Sequence, residues 1–203
     1  RLEITIESPL TTLAGFRFFH CTSSDRREIM PLSLHAAFVP SGLQMLGTAD
    51  HLLNKAKSWC AEKDCDHAKI LTAQLIDDML PFCYQIKSVA EHTQGAIEAV
   101  REGVYSPNLN PPPTSFEGLR AKLATAKTFM SELTEDEMES WIGRDMRFEF
   151  KGNRMDFTVE DFLLSFAQPN LYFHTTAAYS IARHLGVQIG KMDYMGAVRV
   201  SGT

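Results

Sequence analysis

Four long stretches of the chain repeat apolar residues every three or four positions, and this periodicity restricts the fold more than any other feature. The stretches cover residues 34–62, 79–101, 116–133 and 159–185. In each stretch the apolar side chains fall on one face at about 100° per residue, which is the pattern of a helix that packs against other helices. Because no second hydrophobic core is indicated, the sequence predicts an all-α fold, an up-down four-helix bundle.

Prolines, glycines and capping residues set the expected limits of these helices. Pro40 predicts that the first helix becomes regular only beyond that residue, and Asp78 is the expected N-cap of the second helix. Pro169 predicts a kink or a break in the last helix, and Gly186 is expected to end it. Segment 106–118 contains four prolines and predicts a stiff loop between the two halves of the bundle.

One segment near the last helix changes from helical periodicity to alternation. In "MRFEFKGNRMDFTV", apolar and polar residues alternate on both sides of "KGN". Alternation around a short turn is typical of two paired antiparallel strands. The sequence therefore predicts strands at residues 145–150 and 154–158, which form a small β-hairpin before the last helix.

The length of the chain, 203 residues, predicts one main domain with a sizeable core. We assign residues 30–196 to the helical bundle domain. Residues 1–29 lack a helical period, and they also lack the basic start and apolar stretch of a secretory signal. We therefore expect a poorly packed N-terminal extension before the bundle and a short C-terminal tail, residues 197–203, after it.

Charge and cysteine content argue against several classes of function. The formal net charge of -5 disfavours a nucleic-acid partner, because neutralising phosphates requires clustered Lys and Arg. No run of about 20 apolar residues is present, so no membrane partner is expected. The cysteines do not form the paired spacings of a zinc site and indicate free thiols, which favours a cytoplasmic location. They are Cys21, Cys60, Cys65 and Cys83.

His174 is the first candidate for a functional residue. On a helical wheel that starts at Leu171, Ala178 and Ala182 lie within about 40° and His174 lies nearby, so the imidazole is expected to point into the bundle. A buried imidazole needs hydrogen-bond partners, and Asn170 is a candidate because it lies four residues earlier. The wheel leaves two interpretations open: a hydrogen-bonded core histidine, or a ligand-binding or catalytic residue.

A second polar set lies on the second predicted helix. Asp78, Gln85 and His92 are seven residues apart and line one edge of its apolar face, which is either a solvated flank or the wall of a pocket. If the second and fourth helices are neighbours, His92 can approach His174. Two imidazoles and a third ligand would form an open site for Zn²⁺, Ni²⁺ or Fe²⁺.

Two tyrosines on the last helix, Tyr172 and Tyr179, form another pair at heptad spacing. They are either packing residues with hydrated hydroxyl groups or hydrogen-bond donors in the pocket. The sequence shows no Ser/His/Asp order, phosphate-binding glycine loop or nucleotide-binding glycine fingerprint. No particular reaction is therefore indicated by motifs alone.

Two motifs resemble those of a known family. The segments "IDDMLPFCYQIKSVAEHTQGA" (residues 76–96) and "QPNLYFHTTAAYSIARHLGVQIGKMDYMG" (residues 168–196) are similar to a family of small uncharacterised proteins within the DinB/YfiT-like superfamily. The resemblance implies an up-down bundle that is cytoplasmic and commonly a homodimer. It also implies a divalent metal, which better-studied relatives bind through three histidines. Some of those relatives are thiol-dependent transferases, isomerases or hydrolases.

In those relatives one metal ligand comes from the second helix and two come from a His-x-x-x-His pair on the last. His92 resembles the first ligand, and His174 resembles one of the pair. Ala178 and Asn170 occupy the positions four residues after and before His174, and His184 lies about 15 Å further along the helix. The sequence thus predicts one of two functions. The first is a metal-dependent enzyme with a pocket between helices two and four. The second is a non-catalytic module without a metal that binds a small molecule or a second copy of itself.

Overall fold

The computed structural model of the chain describes residues 32–201. The predicted N-terminal extension, residues 1–29, lies outside the described residues, as do the last two positions of the predicted tail. The described part is mostly helical and contains one three-stranded sheet. This confirms the mainly helical class that the apolar periodicity predicted.

Nine α-helical segments follow one another along the described residues. They are α1 (Leu34–Glu62), α2 (Ala68–Leu71), α3 (Phe82–Ala90), α4 (Ala96–Glu102), α5 (Phe116–Glu132), α6 (Glu135–Glu139), α7 (Val159–Asp161), α8 (Gln168–His184) and α9 (Lys191–Met195). Two π-helical turns interrupt them. The first π turn (Glu91–Gly95) joins α3 to α4, and the second π turn (Phe162–Ala167) joins α7 to α8.

The first turn of α1 is helical, so the prediction that this helix becomes regular only after Pro40 is wrong. The Ser33 hydroxyl caps the helix by accepting a hydrogen bond from the backbone N–H of Ala36 at 3.1 Å. Close to the proline, the side-chain amide of Gln168 donates to the carbonyl of Ala37 at 3.3 Å. The cap and this tertiary bond stabilise a turn that proline alone would weaken.

The second predicted helix begins later than expected. Asp78 lies in an exposed turn and does not cap a helix, because α3 begins at Phe82 with Pro81 in the N-cap position. Proline disfavours helical geometry in the residue before it, which explains why the helix cannot extend back to Met79. At the other end, Gly103 adopts a left-handed φ of +79° and ends α4.

The last predicted helix is interrupted at a different point from the one expected. Pro169 predicted a kink, but the structure places Pro169 in the first turn of α8, where its missing N–H is tolerated. The irregular segment is the second π turn, which precedes the proline. Gly186 follows the end of α8 and has a φ of +98°.

The sheet has three strands, β1 (Val104–Tyr105), β2 (Asp145–Phe150) and β3 (Asn153–Thr158), in the order β1-β2-β3. Strands β2 and β3 occur where the alternating pattern predicted strands, and they pair in antiparallel register. Strand β1 was not predicted, since two residues are too few to show alternation. It pairs in parallel with β2, and this pairing places Tyr105 opposite Phe148.

The core lies where the longer helices meet. α3 packs against α5 and α8, and α1 packs against the same two helices. The inward face of α8 is buried as the wheel predicted, with Leu171 and Ala178 fully enclosed. No helix among residues 32–201 is long and apolar enough to cross a membrane.

Candidate functional site

Two histidines from separate helical segments meet in the core. His92 lies in the first π turn and His174 lies on α8. Their ring centroids are 5.3 Å apart and the ring planes differ by 12°. The packing of α3 against α8 brings these side chains together, although they are far apart in the sequence.

The first π turn positions His92. A π turn adds a residue to one turn of a helix, and such turns are frequent at functional sites. Here the consecutive residues Glu91 and His92 both line one pocket. The regular helices α3 and α4 on either side hold the turn in place.

Gln85 sets the protonation pattern of His174. The Gln85 side chain is only 2% exposed, and its Nε2 donates to the carbonyl of Leu80 at 2.8 Å. That bond fixes the orientation of the amide, so Oε1 faces Nδ1 of His174 at 2.7 Å. An amide oxygen can only accept, which means that Nδ1 carries the proton and donates. Nε2 of the neutral ring therefore keeps its lone pair.

His92 has an unsatisfied buried nitrogen. Its side chain is 8% exposed, and Nδ1 is the single buried side-chain nitrogen or oxygen within residues 32–201 that lacks a hydrogen-bond partner. An unpaired buried polar atom costs about 1–3 kcal/mol. A buried polar atom without a partner is unusual in native proteins and calls for a physical explanation.

Both imidazoles are uncharged at neutral pH. Burial, and to a smaller extent the neighbouring His174, lower the pKa of His92 to about 3. Burial alone lowers the pKa of His174 to about 4. Desolvation disfavours the charged imidazolium and is the largest cause of both shifts.

Aromatic side chains surround the histidine pair. Tyr105 stacks on His92, with centroids 5.9 Å apart and planes 28° apart, and Phe166 meets the same ring edge-on at 6.2 Å. The Tyr84 ring lies 6.5 Å from the ring of His174. Burial raises the pKa of Tyr105, so its phenol is a neutral donor. The pair thus has an apolar, low-dielectric setting.

A polar network closes the pocket on its other side. The buried ammonium of Lys87 donates to the backbone carbonyls of Asn108 at 2.7 Å and Asn110 at 2.6 Å. Burial lowers the pKa of Lys87. Glu91 accepts from Lys122 at 2.8 Å and from the amide of Asn108 at 3.3 Å. These bonds attach the proline-rich loop, residues 106–118, to the first π turn and to α3.

The pocket has a volume of about 260 Å³. Its walls come from α3, the first π turn, β1, the proline-rich loop, the second π turn and α8. The lining residues are Leu80, Tyr84, Lys87, Ser88, Glu91, His92, Tyr105, Pro107, Asn108, Phe166, Asn170 and His174. The pocket therefore combines two neutral imidazoles with aromatic walls and a charged rim.

The structure brings together some of the residues selected from the sequence. His92, His174 and Asn170 line the pocket, and Gln85 lies behind it and holds His174. The Asn170 amide donates to the carbonyl of Phe166 at 2.8 Å, so it does not serve as the partner that the sequence suggested for His174.

The other selected residues lie elsewhere. Asp78 is in the exposed turn before α3, because Pro81 delays the start of that helix. Tyr172 is 38% exposed on α8, and Tyr179 packs against Tyr194 with centroids 6.1 Å apart. None of these three residues lines this pocket.

Sequence reasoning missed nine of the twelve lining residues, among them Tyr105, Lys87, Glu91 and Phe166. Tyr105 lies on a strand too short to be recognised, and Phe166 lies in a π turn that the periodicity does not reveal. In the sequence, Lys87 and Glu91 look like ordinary polar positions of a helix. Their spacing of four residues is a possible signal of an interacting pair. The burial of Lys87, however, is explained only by its hydrogen bond to the proline-rich loop.

The donor set does not fit a three-histidine metal centre. Catalytic zinc sites use three protein ligands and an open position. Within residues 32–201, no group of three or more His, Cys, Asp or Glu side chains is arranged to hold a metal ion. Ala178 is fully buried beside the pair, and Asn170 uses its amide N–H on α8 itself.

Comparison with known proteins identifies the family. A family model described as "Domain of unknown function (DUF1993)" matches residues 34–195. The chain belongs to the DUF1993 family. A crystal structure of a DinB family member protein from Shewanella denitrificans is similar, with a TM-score of 0.70 and 24% sequence identity. The alignment covers 84% of this chain and 96% of that chain. No curated protein matches.

These findings confirm the resemblance that the two sequence motifs indicated. The DUF1993 match spans nearly all the described helices, and the structural likeness shows that the fold is DinB-like. At this level of identity the likeness concerns the fold alone. The chemistry of the pocket therefore has to be argued from the residues that line it.

Proposed function

We propose that the pocket between α3 and α8 binds a small, uncharged organic molecule, and that the imidazoles of His92 and His174 are its polar recognition groups. The observation that supports this proposal is that His92, whose buried Nδ1 has no hydrogen-bond partner, lines a pocket together with His174. When the His92 ring turns to present this nitrogen to a ligand, a penalty of about 1–3 kcal/mol that the free protein bears is removed.

The lining residues define the chemistry of the ligand. Nε2 of His174 is an acceptor, because Gln85 holds the proton on Nδ1. Rings of Tyr84, Tyr105 and Phe166 offer flat apolar faces for stacking. A planar ligand with an N–H or O–H donor matches both features. Burial disfavours a charged ligand group next to the pair, for the same reason that both imidazoles are neutral.

The size of the pocket limits the ligand to a small metabolite. A volume of about 260 Å³ lies just below the range of roughly 300–1,000 Å³ that is common for ligand sites. Such pockets usually combine apolar walls with a few well-placed polar groups, as this one does.

A divalent metal ion, Zn²⁺, Ni²⁺ or Fe²⁺, held by His92 and His174 is the competing proposal. With Zn–N bonds of about 2.0–2.1 Å, two imidazoles on one tetrahedral ion have centroids about 5 Å apart. The observed separation of 5.3 Å supports this possibility, and both rings are unprotonated. The two histidines would leave at least two coordination positions to water or to a small ligand, so such a site would be weaker than a three-histidine centre.

One experiment separates these proposals. Protein without a tag is first treated with a chelator. It is then titrated either with Zn²⁺ or Ni²⁺, or with uncharged heteroaromatic molecules such as nicotinamide and cytosine. Binding is measured as a shift in Tm and by calorimetry. The matched variants are His174→Gln and His184→Gln, since His184 is exposed in the last turn of α8.

The expected result is a rise in Tm with at least one organic probe that is lost in H174Q and retained in H184Q. A response to metal alone, together with stoichiometric metal in the purified protein, supports the competing proposal. If neither class of probe binds and H174Q only loses stability, His174 has a structural role and both proposals fail.

We also infer the finer architecture and assembly that the sequence predicted. The packing of α1 and α3 on both α5 and α8 supports an up-down four-helix arrangement. We propose that the chain forms a homodimer, as the family resemblance implies; Leu164 and Phe173 are among its exposed apolar side chains. Free thiols at the described cysteines support a cytoplasmic location. Light scattering of the purified chain tests the dimer, because a monomer mass at micromolar concentration would exclude it.

A further inference from the structure

The end of α1 brings two cysteines together. Asp64 has a left-handed φ of 47°, and the chain reverses there. The N–H of Cys65 donates to the carbonyl of Cys60 at 3.0 Å, and the N–H of Asp64 donates to the carbonyl of Ala61 at 3.3 Å. This pair of bonds is the Schellman motif, which places the first and last residues of the six-residue turn side by side.

An apolar contact between the residues at these two positions frequently accompanies the motif. Here both positions carry thiols, and Cys65 is close enough to be one of the groups that raise the pKa of Cys60. Cys60 is buried, with 1% exposed, whereas Cys65 is half-buried and partly reaches solvent. A disulfide requires Cα atoms about 4.4–6.8 Å apart, and a backbone hydrogen bond between the two residues keeps them close.

We propose that Cys60 and Cys65 form a redox-active dithiol that closes to an intramolecular disulfide by exchange with a low-molecular-weight disulfide of the glutathione type. This site is separate from the pocket and does not depend on the function proposed for it. Neither residue lines that pocket.

The exchange proceeds in two balanced steps. The Cys65 thiolate attacks one sulfur of the small disulfide, forms a mixed disulfide and releases one small thiolate. The Cys60 thiol then loses its proton and attacks Sγ of Cys65, which forms the internal disulfide and releases the second thiolate. The two protons lost by the cysteines convert both released thiolates to thiols, so the small disulfide is reduced and the protein dithiol is oxidised.

The difference in exposure sets the order of attack. An external disulfide reaches Cys65 but not the enclosed Cys60. Burial and the adjacent thiol raise the pKa of Cys60 to about 11, so Cys60 is protonated at neutral pH and is a poor nucleophile for the first attack. Cys83, in contrast, is a buried free thiol on α3 and serves as an internal control.

Peptide mapping tests the proposal on the full chain. Trypsin cleaves after Lys63, between the two cysteines, so it yields peptides 58–63 and 64–69 from the reduced protein. After equilibration with oxidised glutathione and acid quenching, we expect these two peptides to appear as one disulfide-linked species. We also expect the titratable thiols of a C21S/C83S variant to fall from two to none.

Single variants identify the mechanism. In C60S, the mixed disulfide with glutathione is expected to accumulate on Cys65, because no resolving thiol is present. In C65S, Cys60 is expected to react at least tenfold more slowly than Cys65 does in C60S. The proposal is overturned if wild-type protein in excess oxidised glutathione keeps both thiols, or if it retains a stable mixed disulfide and no linked peptide. Mapping of the wild-type chain keeps the test decisive should a serine variant fail to fold.

Discussion

Acidification should destabilise this protein through the buried histidine pair. In the unfolded chain a histidine has a pKa of about 6.5. In the folded protein the pKa is lowered to about 3 for His92 and to about 4 for His174. Below pH 6.5 the unfolded state therefore binds more protons than the folded state. The free energy of unfolding falls as the pH decreases, and each histidine contributes until the pH reaches its folded pKa.

The magnitude follows from the two pKa values. Each pH unit between the unfolded and folded pKa costs about 1.4 kcal/mol per histidine. Between pH 6.5 and pH 5, both histidines lie inside this window, so each contributes a loss of about 2 kcal/mol and the pair about 4 kcal/mol. A loss of about 4 kcal/mol is a large part of the free energy of unfolding of a typical domain, which is roughly 5–15 kcal/mol.

Urea unfolding of chelator-treated protein between pH 8 and pH 5 measures this effect. His174→Gln and His92→Gln should each lose about half of the pH dependence, because glutamine does not titrate, and His184→Gln should retain all of it. The m value, which is the slope of the free energy of unfolding against urea concentration, should stay constant across the series. A constant m value shows that all variants expose the same surface on unfolding. If the wild-type and both core variants show parallel curves, the pair does not determine acid stability and the reasoning is refuted.

Three further substitutions test other contacts. Gln85→Leu should lower the free energy of unfolding by about 2 kcal/mol in urea titrations, because it leaves the largely buried imidazole N–H of His174 unpaired. Lys87→Met should release the proline-rich loop, seen as faster proteolysis within residues 106–113, whereas the more exposed Lys122→Met should have a smaller effect. Gly103→Ala should destabilise the protein by about 1 kcal/mol, because alanine disfavours the φ of +79° at this position. Gly47→Ala should stabilise it by up to about 1 kcal/mol, because this helical position on α1 has open space for a Cβ atom. Thermal unfolding measures both, and a higher Tm for G103A than for G47A would contradict the prediction.

Local patterns predicted much of the helical framework. Apolar periodicity located α1, α5 and the two halves of the interrupted helices, because burial of one helical face leaves a repeat of three to four residues in the sequence. The same pattern placed His174 on the inward side of α8, next to the fully buried Ala178. Alternation located β2 and β3 for the same reason at a period of two.

The pocket depended on contacts that no local pattern records. Gln85 and His174 are 89 residues apart, and their hydrogen bond exists only because α3 packs on α8. Tyr105 reaches His92 through a two-residue strand, and the π turns leave no periodic mark in the apolar pattern.

The amino-acid sequence by itself determined which faces of which helices are apolar, and hence that His174 points inward and that His92 lies at the edge of an apolar face. Only the tertiary structure decided that these histidines face each other, that Gln85 sets the tautomer of one and that Nδ1 of the other has no partner. The physical reason is the distance along the chain over which each kind of interaction acts. Burial of a helical face is repeated along the chain and can be read locally, whereas hydrogen bonds and desolvation in the core depend on which distant side chains share the same space.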